Sequence, residues 1–315
     1  MTMPAYKSVA FASGTGDVSP SIGTHAAGDL ILVFVATGAE TVATPSGYSV
    51  LPQSSVIQSA NVRGSVFYKF AVSGGETLTV TDPGDHAMVV VVVYEDVDPV
   101  HPFEAVSWVL PNTALSVSSL SGVTTDVDDC MIVHGWFWAS DNVGPFITSA
   151  TNSSLANINE RADVGTTDGN GSGIAVIDGE FSAAGTIAPT LLNNSGSNCV
   201  GVTIALRPSL DYTVSGTVTI DGSPAANGEV VTIVDSTQRD FIRTATIAGG
   251  AGGFSVVVPF NDHNYVAVYD DGTNRGASAF DTTVGGDHDI VINTGGGGGG
   301  GGNTYTRGRV VNACG

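Results

Sequence analysis

The residues of this chain with the chemistry to hold a ligand or a metal are mostly aspartates in turns. Asp126, Asp128 and Asp129 precede an apolar run, and Asp270 and Asp271 stand at a predicted hairpin. Calcium takes about six to eight oxygens, and such turns supply carboxylates and carbonyls together. Neither stretch has the spacing of an EF-hand loop. Aspartate is also an ordinary turn former, because its side chain bonds its own backbone. Two readings therefore stand, weak calcium sites or plain turns, and no other cofactor is indicated.

Cys130 and Cys199 each open an apolar stretch, and Cys314 lies beside the C-terminus. No Cys/His spacing suggests zinc. Cys130 and Cys199 are either two small buried residues or, if their strands are neighbours, a disulfide. Trp108, Trp136, Trp138, Tyr48 and Tyr68 could stack on sugars or simply fill a core; Trp136 and Trp138 share one face of a strand. His134 lies inside an apolar run and reads as an interior histidine. His101, His263 and His288 sit near turns, with Asp262, Asp287 and Asp289 next to them in sequence. Adjacent strand residues point to opposite faces, so this spacing makes no acid–base pair. No serine occupies a Gly-x-Ser-x-Gly elbow. Gly249–Gly253 lacks the lysine and helix of a phosphate loop. No catalytic constellation emerges, and the chain is expected not to be an enzyme.

The element that would position these residues is the run His86-Ala-Met-Val-Val-Val-Val-Val-Tyr-Glu95. β-Branched side chains favour extended chain. The run is apolar on both faces, so it predicts a strand covered from two sides. It is too short to cross a bilayer as a helix. Further strands are predicted at 5–12, 28–36, 63–72, 76–81, 103–109, 115–119, 130–139, 146–151, 157–163, 173–181 and 199–206. The 76–81 segment alternates and should have one wet face. No amphipathic helix interrupts this spacing, which means an all-β sandwich or barrel. Closing the edges of so many strands favours a two-sheet jelly roll over residues 1–208. Residues 211–293 carry seven more predicted strands and read as a smaller immunoglobulin-like β-sandwich. Residues 294–302 read as a glycine linker, and 303–315 as a terminal peptide.

The charge balance excludes several function classes. The net charge is −20, and Lys7 and Lys69 are the only lysines. A nucleic-acid partner needs a basic patch, and an anionic membrane surface needs basic residues as well. Neither is expected. No secretory signal opens the chain, so synthesis in a cytoplasm is expected.

Two resemblances follow from particular motifs. Gly28-Asp29-Leu30, Pro45-Ser-Gly47-Tyr48, Val66-Phe-Tyr68-Lys69, the valine strand ending Tyr94-Glu-Asp-Val-Asp98-Pro99, and Val202-Thr-Ile-Ala-Leu206 resemble the jelly-roll domain of tailed-bacteriophage structural proteins. Val214-Ser-Gly216-Thr-Val-Thr, Gly222-Ser-Pro224, Gly228-Glu-Val-Val-Thr-Ile, Gly253-Phe-Ser and Tyr265-Val-Ala-Val-Tyr resemble carboxypeptidase-regulatory-like (transthyretin-like) modules. These resemblances imply a non-enzymatic virion protein on the outer surface of the tail or capsid, as a fibre component or a decoration protein. They imply other virion proteins as partners, a homo-oligomer, and assembly in the host cytoplasm. The alternative is a carbohydrate-binding adhesin module that meets a host surface glycan. The terminal peptide adds one more expectation. Arg307, Arg309, Val310 and Val311 form a basic, strand-like segment on a glycine tether, suited to a neighbour's sheet edge or an acidic surface.

Overall fold

A computed structural model of the chain describes residues 2–58, 62–109, 117–194, 199–209, 212–235, 242–258, 264–271, 273–281 and 290–292. The regular elements among them are all strands, so the chain is an all-β protein. It divides into two compact units, Met1–Ser209 and Leu210–Gly315.

In the first unit the strands are β1 (Ala5–Gly14), β2 (Leu30–Thr37), β3 (Ser49–Val50), β4 (Val56–Gln58), β5 (Val62–Phe70), β6 (Ala87–Glu95), β7 (Phe103–Val109) and β8 (Val117–Leu120). They continue with β9 (Thr124–Thr125), β10 (Cys130–Trp138), β11 (Ile147–Thr151), β12 (Ala156–Thr166), β13 (Ser172–Phe181), β14 (Gly185–Thr186), β15 (Thr190–Asn194) and β16 (Cys199–Leu206). One sheet runs β1-β6-β2-β5-β3, with β4 also on β5, and a second runs β12-β13-β10-β16-β7. A third, smaller sheet has the order β11-β15-β8, and β14 pairs β9.

The valine strand is β6, hydrogen-bonded between β1 and β2. Its period of two explains why both faces are apolar. Val90, Val92 and Tyr94 point into the core between the two large sheets. Val89, Val91 and Val93 point the other way, into a cluster closed by Val18, Ile22, Val42, Tyr48, Leu78 and Val80. The second large sheet is also covered twice, because the outer face of β10 packs Trp136 and Trp138 against Leu120, Phe146, Ile147 and Leu192. Each large sheet is therefore buried on both faces, which accounts for near-continuous apolar runs where a two-layer sandwich would show alternation.

The segment expected as a strand at 76–81 departs from that expectation. Only Val80 forms a bridge, to Val18. The alternation is nevertheless used: Leu78 and Val80 are buried while Thr77 and Thr79 face water. An extended segment lies over the outer face of β6 without a ladder of its own.

The two large sheets meet through a reciprocal contact. Phe34 on β2 lies over Gly135 of β10, and Phe137 on β10 lies over Gly64 of β5. A Cβ on Gly135 would stand 2.6 Å from the Phe34 ring, and one on Gly64 would stand 2.5 Å from Phe137. Only glycine lets the backbones approach this closely.

The second unit contains β17 (Tyr212–Ile220), β18 (Ser223–Pro224), β19 (Val230–Asp235), β20 (Ile242–Thr246), β21 (Gly253–Val258), β22 (Asn264–Asp270), β23 (Arg275–Asp281) and β24 (Ile290–Ile292). One sheet runs β18-β17-β21 with β24 parallel to β17, and the other runs β20-β19-β22-β23. Val218, Val231, Ile233, Phe254, Ala267 and Tyr269 are among its buried apolar residues.

Candidate functional site

The motif residues that carry the bacteriophage resemblance form a set of clips in the first unit. A register shift between Tyr6 and Ser8 singles out Lys7 on β1. Its ammonium reaches Glu95 at 2.8 Å and Asp29 at 3.0 Å. Hydrogen bonds to Glu95 and then Asp29 raise the lysine's pKa. The Asp29 carboxylate also accepts the Ala26 amide at 2.6 Å, which shapes the turn into β2.

The second lysine works similarly. Lys69 pairs with Glu76 and lies 5.8 Å from the centre of the Tyr48 ring. Glu76 is held below the usual carboxylate range, first by Lys69 and then by the Val72 amide. Its own amide donates to His25 Nε2 at 3.1 Å. Burial pushes the Tyr48 hydroxyl up to about 12. At the end of the valine strand, Asp98 accepts the amides of Val100 and His101 at 2.9 and 3.1 Å. Arg207 lies 3.6 Å from Asp98 and 3.7 Å from Glu104. Backbone bridges Val97–Pro208 and Thr2–Ser209 bring the start and the end of this unit together.

A further network crosses between the two large sheets. The Tyr94 hydroxyl donates to Asp178 at 3.0 Å, and Arg161 Nε donates to the same carboxylate at 2.8 Å. The guanidinium lies 3.9 Å from the centre of the Tyr6 ring, close enough for a cation–π contact. Burial raises the Asp178 pKa, and Arg161 opposes that shift.

Sequence reasoning missed a cluster at the opposite end of the strands. His86 is fully buried, and its Nδ1 meets Asp85 at 2.9 Å. Asp85 also accepts the backbone and side-chain amides of Asn170 at 3.2 and 3.1 Å. Asp168 accepts from Ser13 and Thr166 at 2.9 and 2.8 Å. These bonds tie the turn before β6 to the β12–β13 turn. Opposed side-chain directions hold within strands and fail in the Asp-Pro-Gly-Asp turn. The only sequence signal was the Asp85-His86 adjacency ahead of the valine strand.

The predicted site residues fall as follows. The Asp126 amide donates to Glu104 at 2.9 Å, and Asp128 accepts the Ala184 amide at 2.7 Å. Asp129 has a left-handed backbone, φ 59°. Asp270 pairs with Arg275 at 2.8 Å. Asp271 accepts the amides of Thr273 and Asn274 at 2.7 and 2.6 Å and the Tyr269 hydroxyl at 3.0 Å. These bonds hold its carboxyl far below the usual range, with Asn274 contributing most. Among the described residues, no three or more His, Cys, Asp or Glu side chains converge on a common metal position.

The Cys130–Cys199 bridge is not formed. Their strands are neighbours, as that expectation required, but they run antiparallel. Cys199 stands opposite Trp138, at the far end of β10 from Cys130. Eight residues of strand separate the two positions by roughly 27 Å, far beyond disulfide reach. Trp136, Trp138 and Tyr48 are buried. Trp108 stacks on Phe137, and Tyr68 meets Phe103 edge-on. The five aromatics thus form no exposed platform.

His134 is the interior histidine the sequence suggested. Its Nδ1 lies 3.1 Å from Thr203 Oγ1, and its Nε2 lies 2.8 Å from Thr190 Oγ1. Thr203 donates onward to the Ser121 carbonyl at 2.9 Å, so Thr203 accepts from Nδ1–H and Thr190 donates to Nε2. Burial lowers the His134 pKa to about 3. Arg307, Arg309, Val310 and Val311 lie outside the described residues, as do His263 and His288.

No family model, curated protein or solved structure matches the chain. What the geometry offers chemically is a set of charged and polar side chains spent on one another. The two lysines, Asp98, Asp178 and His134 each hold strands or sheets together.

Proposed function

We propose that the chain is a non-enzymatic structural protein of a tailed-bacteriophage virion, placed on the outer surface of the tail or capsid and acting through protein–protein interfaces. The observation that carries this reading is the use made of the motif residues. Asp29, Tyr48, Lys69, Tyr94 and Asp98 are the positions that resemble the phage domain, and each is built into a packing or polar clip of the first unit. They serve a scaffold rather than a reacting centre.

In this reading the first unit has jelly-roll connectivity and anchors the protein. The second is a carboxypeptidase-regulatory-like module that projects from the particle, and the terminal peptide around Arg307 and Arg309 latches a neighbour. The partners are other virion proteins and further copies of the chain, without nucleic acid or membrane insertion. The adhesin alternative draws no support from Trp108, Trp136, Trp138, Tyr48 and Tyr68, which form no exposed platform among the described residues.

Immunogold electron microscopy of particles from the gene's source, with antibody against residues 211–293, tests the reading. Label on the head makes the chain a decoration protein, and label on the tail or its tip makes it a tail or fibre component. Intact particles that take up no label overturn the surface-virion reading.

A further inference from the structure

The third sheet of the first unit turns Ile147, Leu120 and Leu192 inward and Ser119, Ser149, Thr151, Leu191 and Asn193 outward. Register aligns Thr151, Leu191 and Ser119 in one row and sets Ser149 beside Asn193. The Asn193 amide donates to the Ser149 hydroxyl at 2.6 Å. Leu191, at the centre of its row, is 49% exposed.

This face carries no charge, and the surrounding sequence shares that property. The strands β8, β11 and β15 lie within residues 105–125, 142–159 and 181–206, and none of these stretches contains Asp, Glu, Lys or Arg. The chain as a whole carries a net charge of −20. Glu95, Glu160 and Glu180 stand on β6, β12 and β13, while the half-buried Asp163 accepts the Phe146 and Ile147 amides at the start of β11 and is not among the outward residues of this face.

Charge decides what such a face can accept. A basic partner is drawn to the acidic surfaces and gains nothing from an uncharged one. An acidic body is repelled except where both contacting faces lack carboxylates. A second copy of this chain is such a body, and a two-fold contact needs only one self-complementary patch. Leu191 then supplies an apolar centre, and the hydroxyls and amide around it supply a polar rim.

We propose that the outward face of β11-β15-β8 is a self-association face, on which a second copy docks through the same Leu191-centred patch. The inference rests on the reading that the protein works through interfaces, and it names the face and the partner.

Sedimentation velocity of the full chain tests it across a concentration series, at about 20 mM and about 500 mM NaCl, which bracket strong and weak screening. The expected result is a reversible dimer that tightens several-fold at high salt, because screening relieves repulsion between like-charged bodies. Leu191→Glu should weaken it by about tenfold or more, since it sets carboxylates face to face across the contact. Val72→Glu, at a 79% exposed position outside these uncharged stretches, should leave it unchanged. Thermal melting of each variant checks folding, and Ser149→Glu repeats the test at a hydrophilic position. A monomer at every concentration and salt overturns the inference, and particle labelling still decides the wider reading. A dimer indifferent to Leu191→Glu and Ser149→Glu, or one that weakens with salt, overturns this face while leaving interface function intact.

Discussion

Tyr94 and Asp178, 84 residues apart in sequence, meet at 3.0 Å between the two large sheets. The tyrosine ends the valine strand and the aspartate lies in the middle of β13. Arg161 completes the set at 2.8 Å from the same carboxylate. A buried carboxylate is tolerable only when hydrogen-bonded and paired. Tyr94→Phe should therefore cost about 1–3 kcal/mol, the usual effect of removing one partner from a buried polar group. Asp178→Ala should cost more, about 3 kcal/mol, because it strands both the hydroxyl and the guanidinium. Water recovers part of that loss, since the Arg161 side chain is 21% exposed. Urea unfolding of both variants checks the order.

The reciprocal contact between glycines and phenyl rings makes a second prediction. Gly64→Ala and Gly135→Ala each force a methyl group into a ring of the facing sheet, and overpacking of this kind costs about 1–3 kcal/mol. Gly16→Ala is the control, because a Cβ there meets nothing within 4 Å. It should be neutral or slightly stabilising, through a less flexible unfolded chain. Denaturant midpoints of the three variants provide the comparison.

His134 predicts a pH dependence whose sign follows from its burial. The folded value is lowered to about 3 from an ordinary 6.5. Between those values the unfolded chain binds a proton that the folded chain refuses. Stability is therefore complete above about pH 6.5 and falls as the pH drops toward 3, by up to about 1.4 kcal/mol per pH unit. At about pH 4.5 the loss should be roughly 2–3 kcal/mol relative to neutral pH. His134→Gln should be less stable at neutral pH, since the Thr190 and Thr203 contacts depend on both ring nitrogens. It should also lose this component of the pH profile. Urea titrations at several pH values separate the two effects.

What the sequence made legible was local. The five valines announce a doubly covered strand because periodicity fails on both faces, and β16 occupies the predicted residues 199–206. Leu78 and Val80 alternate as read, yet alternation reports burial rather than ladder bonding, so an extended strap looked like a strand. The polar network stayed hidden for another reason. Nothing in the neighbourhood of Tyr94 announces Asp178, because the pairing is set by how β6 and β13 face each other after folding. The Cys130–Cys199 expectation failed on direction: the adjacency of β10 and β16 on which it was conditional is present, while their antiparallel course puts the two thiols at opposite ends.

That placement has a chemical consequence for Cys130. Its thiol donates to the Val127 carbonyl at 3.6 Å, and burial, with Glu104 adding to it, pushes its pKa up to about 12. A thiolate is the reactive form of cysteine, so at neutral pH Cys130 has neither the ionisation nor the access to react. Alkylation of the native chain at about pH 8 should leave Cys130 unmodified, whereas the same treatment in denaturant should label it fully. Peptide mass spectrometry reads each cysteine separately, so the outcome does not depend on Cys314. A reducing agent should leave the melting temperature of the first unit unchanged, because no bridge joins Cys130 to Cys199. Rapid native labelling of Cys130, or a drop in melting temperature on reduction, would contradict the packing described for the start of β10.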